Sequence, residues 1–436
     1  MAMHTVLNVA NSGWYDANLY WDLGKSCGWD VRNIEWEFRG WVLPYIFSMC
    51  YQFGIRVGSE YLGYRILSSF CFAFTFTFSF AYVVKILEFD MSDVKTAYAG
   101  GVCGILFLIF FRGLIIYTLS DFYAFSLALL SIILLYRILH YDQKIYRKIF
   151  ESFLLGLCLY ATYNIRTIYQ FLLIACVCVI VFWQLFQHKW QQLLMTTPTC
   201  FVGIFVCAIP QYIVNYNLQK VYSGRVLTGN LILSQFSWGI IAERYATYVG
   251  EASEYGMPGM WFTNSIGRAI LDRAQVTEFT SFTQLIQLML RNPLDFIGIY
   301  VRHFLNMFFP IYPEQYIENI HRDKSLLLVL FYTILFIAVF HFIKSFKLKD
   351  AKWVWFALIV LPCVCILPGA VEIRFFIALH FLIYIYAVAG VSELIKKFKI
   401  HKVQYIVTYL TGFLLYIAYV GLLLGTTKEG IATIHF

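Results

Sequence analysis

Apolar residues run along this chain in blocks rather than in alternation. From about Tyr61 to Leu424, stretches with scarcely a charge recur. At roughly 20 residues, each is long enough to cross ~30 Å of hydrocarbon as a helix. Polar positions gather in short breaks such as "YRILHYDQKIYRK" (136–148), "KSFKLKDAK" (344–352) and "KKFKIHK" (396–402). These breaks are rich in basic residues, and the positive-inside rule assigns all three to the cytoplasm. Threading the chain through them predicts ten spans, near 61–84, 97–116, 118–138, 148–163, 165–186, 197–216, 325–343, 353–370, 374–392 and 403–425. The expected fold is an all-α polytopic membrane protein.

That threading divides the chain into four parts. Residues 1–60 form an outer-face segment, 61–216 an N-terminal membrane module of about six spans, 217–324 a large outer loop, and 325–436 a C-terminal module of about four spans. The segment "GWVLPYIFSMCYQFGIRVG" (40–58), with Pro44, Gln52 and Arg56, suits a helix lying in the membrane interface. "NPLDFIGIYVRHFLNMFFP" (292–310) reads the same way, because Asp295, Arg302, His303 and Asn306 cluster on one side of an otherwise apolar helix.

Composition agrees, at 60% hydrophobic and only 13% charged, far from the balance of soluble domains. The net charge of +8 is dispersed among the spans, so no nucleic-acid partner is expected. Most of the eleven cysteines fall inside apolar runs, where Cys acts as a small hydrophobe. That placement argues against a disulfide framework, and without a CxxC pair neither zinc nor thioredoxin-like chemistry is indicated. No GxGxxG, DxD or HExxH occurs, and neither a metal nor a cofactor is expected. No repeat and no cleavable signal-peptide layout are visible.

The two basic residue types are distributed unequally over the predicted topology. Thirteen of seventeen lysines fall on the cytoplasmic side, but fourteen of sixteen arginines fall at or near the outer side. The positive-inside rule treats Lys and Arg alike, whereas planar, permanently charged Arg is suited to bidentate phosphate binding. An outer face rich in Arg points to anionic ligands; pairing with outer carboxylates and lipid head groups is the competing account. Ionisable residues near or inside spans are costly, most of all at mid-bilayer, and each needs a reason. The candidates are Asp16, Asp22, Glu35, Glu37 and Arg39 in the first segment, then Arg65, Arg112, Asp121, Arg166, Glu372 and Arg374.

The order of five motifs is informative: "YDANLYWDLG", "FRGWVLPYIF", "GSEYLGYRILSSF", "YTLSDFYAFSLALLSI" and "LLGLCLYATYNIRTIYQFLL". Together they resemble the GT-C superfamily of membrane glycosyltransferases, in the branch of protein O-mannosyltransferases and lipid A aminoarabinose transferases. The resemblance covers roughly residues 13–185, with "VEIRFFIALHFLIY" (371–384) as a later echo. It implies a GT-C-like fold and transfer of a sugar from a polyprenyl-phosphate donor to a saccharide, lipid or protein acceptor, with inversion. By it, Asp16 matches the catalytic acid, Asp121 the second outer-facing acid, and Arg39 the basic residue that meets the lipid phosphate. Arg166 falls where the family often has Arg, and Arg374 is a further phosphate candidate. The family commonly has adjacent acids in the first loop, but Ala17 follows Asp16 here, so Asp22 or Glu37 stands in as support, beside Arg65 and Glu372. Members also begin with a span ahead of the first acid; only about a dozen residues precede Asp16 here, so either the start lies upstream or that helix has been lost.

The residue types suit this chemistry in their own right. Glycosyl transfer passes through an oxocarbenium-like state, and glycosidases use one acid to protonate the leaving oxygen and a second carboxylate. A phosphate already leaves as a stabilised anion, so an arginine clamp can replace the proton donor. One carboxylate then suffices as base for the acceptor. Trp14, Tyr15, Tyr20 and Trp21 are candidates to stack on sugar faces, with an interfacial aromatic belt as the alternative. A flippase for lipid-linked saccharides, or a polymerase of them, would also need many spans and arginines. Carriers, however, place charges near the bilayer midplane, whereas these gather at span ends. The expected location is the plasma membrane of a bacterium, with membrane lipids around the spans and the site on the noncytoplasmic face. A reporter enzyme active only after export is expected to be active when fused after Lys220 and inactive after Gln143; reversed activities would exclude this orientation.

Overall fold

The structure of the protein is a computed structural model. It describes residues 16–35, 39–89, 96–248, 259–308, 316–317, 325–345, 350–400, 410, 412–414 and 431–432. The described chain is predominantly helical. In chain order the helices are α1 (Asp16–Cys27), α2 (Val42–Arg56), α3 (Leu62–Ile86), α4 (Thr96–Phe111), α5 (Asp121–His140), α6 (Ile145–Ile165), α7 (Gln170–Phe186) and α8 (Trp190–Gln219). They continue with α9 (Leu231–Ile241), α10 (Ser265–Ala274), α11 (Phe282–Arg291), α12 (Pro293–Asn306), α13 (Ser325–Ser345), α14 (Lys352–Cys365) and α15 (Ile377–Ile400).

Six helices among the described residues are long and apolar enough to cross a membrane: Leu62–Ile86, Asp121–His140, Thr167–Phe186, Trp190–Gln219, Leu326–Ser345 and Ile373–Ile395. Two predicted spans come out shorter. The one near 97–116 stops at Phe111 and breaks before a separate turn, Gly113–Ile116. The one near 353–370 stops at Cys365, where "ILPGAVE" leaves the helix, as Pro and Gly together favour. The predicted 148–163 segment is instead a full helix of 21 residues, and that near 403–425 lies almost wholly outside the described residues. The two segments read as interfacial are helices α2 and α12, of 15 and 14 residues. All eleven cysteines are free.

The chain forms two compact units, interleaved in sequence: Met1–Glu88 with Arg112–Gly229 and Asp350–Cys365, and Phe89–Phe111 with Asn230–Lys349 and Ile366–Phe436. In the first unit α5 packs against α6, and α6 packs along α8. The α6–α8 pair is parallel, because Lys148 meets Gln192 at one end and Asn164 meets Gln211 at the other. Between them the helices touch backbone to backbone. A Cβ on Gly156 would run into the Cys200 carbonyl, and one on Gly203 into that of Phe153. Small residues that allow such approach are how apolar helices associate without a hydrophobic driving force. Polar side chains join α3 to α5, Ser68 to Tyr123 at 2.5 Å and Thr75 to Ser126 at 2.9 Å.

The second unit departs from the all-α expectation through a small sheet, of order β3-β1-β2-β4. Its strands are β1 (Ala242–Tyr248), β2 (Gly259–Thr263), β3 (Tyr316–Ile317) and β4 (Ile431–Ala432). β1 and β2 are antiparallel, with a register shift between Ala242 and Arg244. Thus "ERYATY", read from sequence as loop, is a strand; its aromatic and Thr residues favour an extended chain. The shift puts both Glu243 and Arg244 on the buried side, which hides the alternation expected of a strand. Helices α9 to α12 close over it around Ile240, Ile270, Phe296 and Ile299. His303 lies with its ring nitrogens 2.6 Å from the Leu367 carbonyl and 2.9 Å from that of Ala242, and Arg302 pairs with buried Glu243 at 2.7 Å. Elsewhere in this unit α15 packs on α13 and α4, and His380 meets the Met307 carbonyl at 3.0 Å.

The α6–α8 crossing yields a stability test. Gly203→Val should cost about 2 kcal/mol through overpacking against the Phe153 carbonyl, read as a lower melting temperature of the detergent-solubilised protein. An unchanged melting temperature would mean that the helices are not in backbone contact.

Candidate active site

Asp16 and Asp121 each open a helix, α1 and α5 respectively, where the positive end of the helix stabilises a carboxylate. Each faces an arginine. Asp16 lies 3.5 Å from Arg39, with its side chain 40% exposed, and Arg39 also covers the Tyr20 ring at 5.0 Å. Asp121 lies 3.1 Å from Arg166, with its side chain only 3% exposed, and Arg166 also donates to the Ser120 hydroxyl at 3.3 Å.

Two ties bring the pairs together within the first unit. The Thr118 hydroxyl donates to the Ala17 carbonyl at 2.5 Å, so the residue after Asp16 is fastened three positions before Asp121. Three residues of chain reach no further than ~11 Å. The second tie holds the arginines. Gly40 packs so closely on Asn164 that a Cβ would overlap the Asn164 carbonyl and side chain. Next to it, the Val42 N–H donates to Asn164 Oδ1 at 2.8 Å. Arg39 is therefore anchored beside a residue two positions before Arg166.

Asn164 belongs to a buried chain of amides. Its Nδ2 donates to Gln211 Oε1 at 2.7 Å, which also accepts the Trp41 N–H at 3.2 Å. Gln211 Nε2 donates to Asn215 Oδ1 at 2.9 Å, and Asn215 Nδ2 donates to the carbonyls of Ser223 and Arg225. The Trp41 indole donates to the Cys207 carbonyl at 3.1 Å, in the turn loosened by Pro210, which supplies no N–H to the helix. Removing any of these amides would leave a buried group unsatisfied, at a cost of ~1–3 kcal/mol. The stretch 39–42 is thereby fixed to α6 and α8.

The remaining sequence candidates fall as follows. Asp22 is exposed and reaches Lys25 at 3.4 Å. Arg65 is half-buried, near the start of α3, and Arg112 and Glu35 are exposed. Glu372 and Arg374 form a buried pair at 2.7 Å in the second unit. Trp14, Tyr15 and Glu37 lie outside the described residues. Tyr20 and Trp21 do not offer open faces to a sugar. Both are buried; Arg39 covers Tyr20, and Trp21 stacks on Tyr61 with ring centres 5.1 Å apart. Among the described residues no cluster of His, Cys, Asp and Glu suits a metal ion.

Glu60, Thr118, Asn164 and Gln211 are not among the sequence candidates. Amides within otherwise apolar helices were the available signal for Asn164, Gln211 and Asn215, since such groups are expensive in a span. Glu60 accepts the Trp21 indole N–H at 3.0 Å and pairs with Lys25 at 3.0 Å, holding α1 to the turn before α3. Nothing local in the sequence marks Thr118, whose partner is a backbone carbonyl a hundred residues away. No protein-family model matches this chain, and no curated protein or solved structure matches it either.

The Trp21 hydrogen bond holds the Glu60 carboxyl below its ordinary value, against partial burial that pushes it up, and Lys25 adds to the lowering. A carboxyl depressed on folding contributes stability above its unfolded pKa, and that contribution is lost as the pH falls through the folded value. The wild type should therefore melt above Glu60→Gln at pH 7, and the gap should close as the pH falls below about 4, near the ordinary Glu value. A gap independent of pH between 7 and 3.5 would show that the Glu60 charge does not hold α1.

Proposed function

We propose that this protein is an integral membrane glycosyltransferase of GT-C type, moving a sugar from a polyprenyl-phosphate donor to an acceptor hydroxyl or amine on a saccharide, lipid or protein. The observation that carries the reading is the gathering of Asp16, Arg39, Asp121 and Arg166 by the Thr118–Ala17 and Gly40–Asn164 ties. These are the four residues that the resemblance marks. The ten-span threading belongs to the same proposal, with residues 1–60 and 217–324 on the noncytoplasmic side of a bacterial plasma membrane.

The two pairs have different parts. Asp16 has a side chain 40% exposed and lies 3.5 Å from Arg39. It serves as the base that takes the acceptor proton while the acceptor atom bonds to the anomeric carbon. The bond from that carbon to the phosphate oxygen breaks with its electron pair, the configuration inverts, and polyprenyl phosphate leaves. Arg39 and Arg166 neutralise the departing phosphate, as preorganised donors do where charge develops. Asp121, buried against Arg166, is a positioning residue that aims the guanidinium. Glu372 and Arg374 keep their own pair and are given no step.

The test is release of free polyprenyl phosphate from a panel of polyprenyl-phosphate monosaccharides by the purified protein. Wild type should turn over at least one donor. Asp16→Asn should lower kcat by about 100-fold or more, and Arg39→Ala should raise the donor KM by about tenfold or more. Equal rates from wild type and Asp16→Asn would remove the proposed base; no turnover of any donor by folded wild type would remove the reading.

A further inference from the structure

The opposite end of the α6–α8 pair carries charge that the glycosyl-transfer reading does not use. Because the two helices are parallel, their N-termini lie side by side, and the residues capping them are Lys144 and Lys189. Neither cap makes a side-chain hydrogen bond, and neither first turn holds an acid. Each N-terminus carries about half a positive charge and N–H groups without a helical acceptor. Lysines there add to that charge instead of offsetting it.

A second, independent feature lies between the helices. Lys148 is 3% exposed, and its ammonium makes one hydrogen bond, to the neutral Gln192 amide oxygen at 3.3 Å. No carboxylate among the described residues lies within ion-pair distance of it. The near acid, Glu151, is already held by Arg137 at 2.6 Å and Arg147 at 3.3 Å. Asp142 is exposed on the preceding turn. Within 137–151 and 184–192 the chain carries Arg137, Lys144, Arg147, Lys148 and Lys189 against two acids, Asp142 and Glu151. The Asp142 and Glu151 carboxylates act on the Lys148 ammonium only from beyond ion-pair distance, and Lys189 opposes them; an anion between the two helix ends would offset the remaining cost of burying it.

The surroundings identify the anion. Tyr146 and Phe150 stand exposed at i, i+4 on α6, and Trp190 and Leu194 do the same on α8. Phe186, at the end of α7, is exposed as well. Apolar stripes thus begin at the charged end and run along the helices, offering acyl chains a surface that free phosphate does not need. Basic pockets between helices on the cytoplasmic side are suited to anionic head groups.

We propose that the paired N-termini of α6 and α8, with Lys144, Lys148 and Lys189, bind the phosphate of an anionic phospholipid whose chains lie along Phe150 and Leu194. The inference shares the proposed membrane threading but does not rest on the glycosyl-transfer chemistry.

It is tested on the full-length protein in detergent by native mass spectrometry and thermal melting, with phosphatidylglycerol, phosphatidylcholine and inorganic phosphate as probes. Phosphatidylglycerol should bind and raise the melting temperature, whereas phosphatidylcholine should do neither. Lys189→Gln, at an exposed cap whose side chain makes no capping hydrogen bond, should weaken phosphatidylglycerol binding about fivefold, and Lys148→Gln by a similar factor. Lys220→Gln, at the far end of α8, should leave binding unchanged. Equal binding by wild type and Lys189→Gln would overturn the site. So would equal stabilisation by phosphatidylcholine, or a full shift from millimolar inorganic phosphate alone.

Discussion

The first unit depends on one buried run of amides, Asn164 to Gln211 to Asn215. These side chains do two things at once. They lock α6 to α8 in a single register, since an amide has fixed donor and acceptor atoms and a slip would leave them unpaired. They also spend their spare acceptors on the backbone N–H groups of Trp41 and Val42, so a stretch from far earlier in the chain is held against the same two helices. Arg39 is placed by this arrangement, and Gly40 is the residue whose lack of a side chain allows it. An apolar core of equal volume would pack the helices, but it would not select one docking position for a polar segment.

How much of this was legible in the sequence follows from which forces act locally. Apolar blocks gave the positions of most helices, because burial in hydrocarbon or protein is a property of a continuous stretch. Helix ends were harder. α4 stops at Phe111 and α14 at Cys365 although the apolar run continues, since hydropathy does not sense where the backbone turns. The strand "ERYATY" was hidden because a register shift buries two charged neighbours, Glu243 and Arg244, the first of them paired with Arg302.

At the candidate site, residue types and order pointed to Asp16, Arg39, Asp121 and Arg166, but their pairing did not follow from spacing. Asp16 finds Arg39 through the packing of α1 on α2, and Asp121 finds Arg166 because α5 and α6 pack together. The aromatic residues around Asp16 misled for a related reason. Tyr and Trp near an acid suit a sugar platform or a packed cluster equally well, and only the partners of Trp21 decide. It gives one face to Tyr61 and its N–H to Glu60, so it builds the seat of α1 instead of the lining of a pocket.

Backbone direction links the two ends of the helix pair. At the end where Asn164 lies, α5 begins and α6 finishes, so Asp121 sits at a positive helix terminus and Arg166 at a negative one. Each charge is favoured by its own helix before the ion pair forms, which lowers the cost of holding both partly out of water. At the other end α6 and α8 both begin, and the capping residues are lysines, so backbone and side chains carry the same sign. A parallel pair of helices cannot satisfy both ends with one kind of side chain. The structure resolves the first end internally, with carboxylate facing guanidinium. At the second end the carboxylate of Glu151 is committed to two arginines, and among the described residues no other carboxylate lies within ion-pair distance of Lys144, Lys148 or Lys189, which is what an anionic head group would supply.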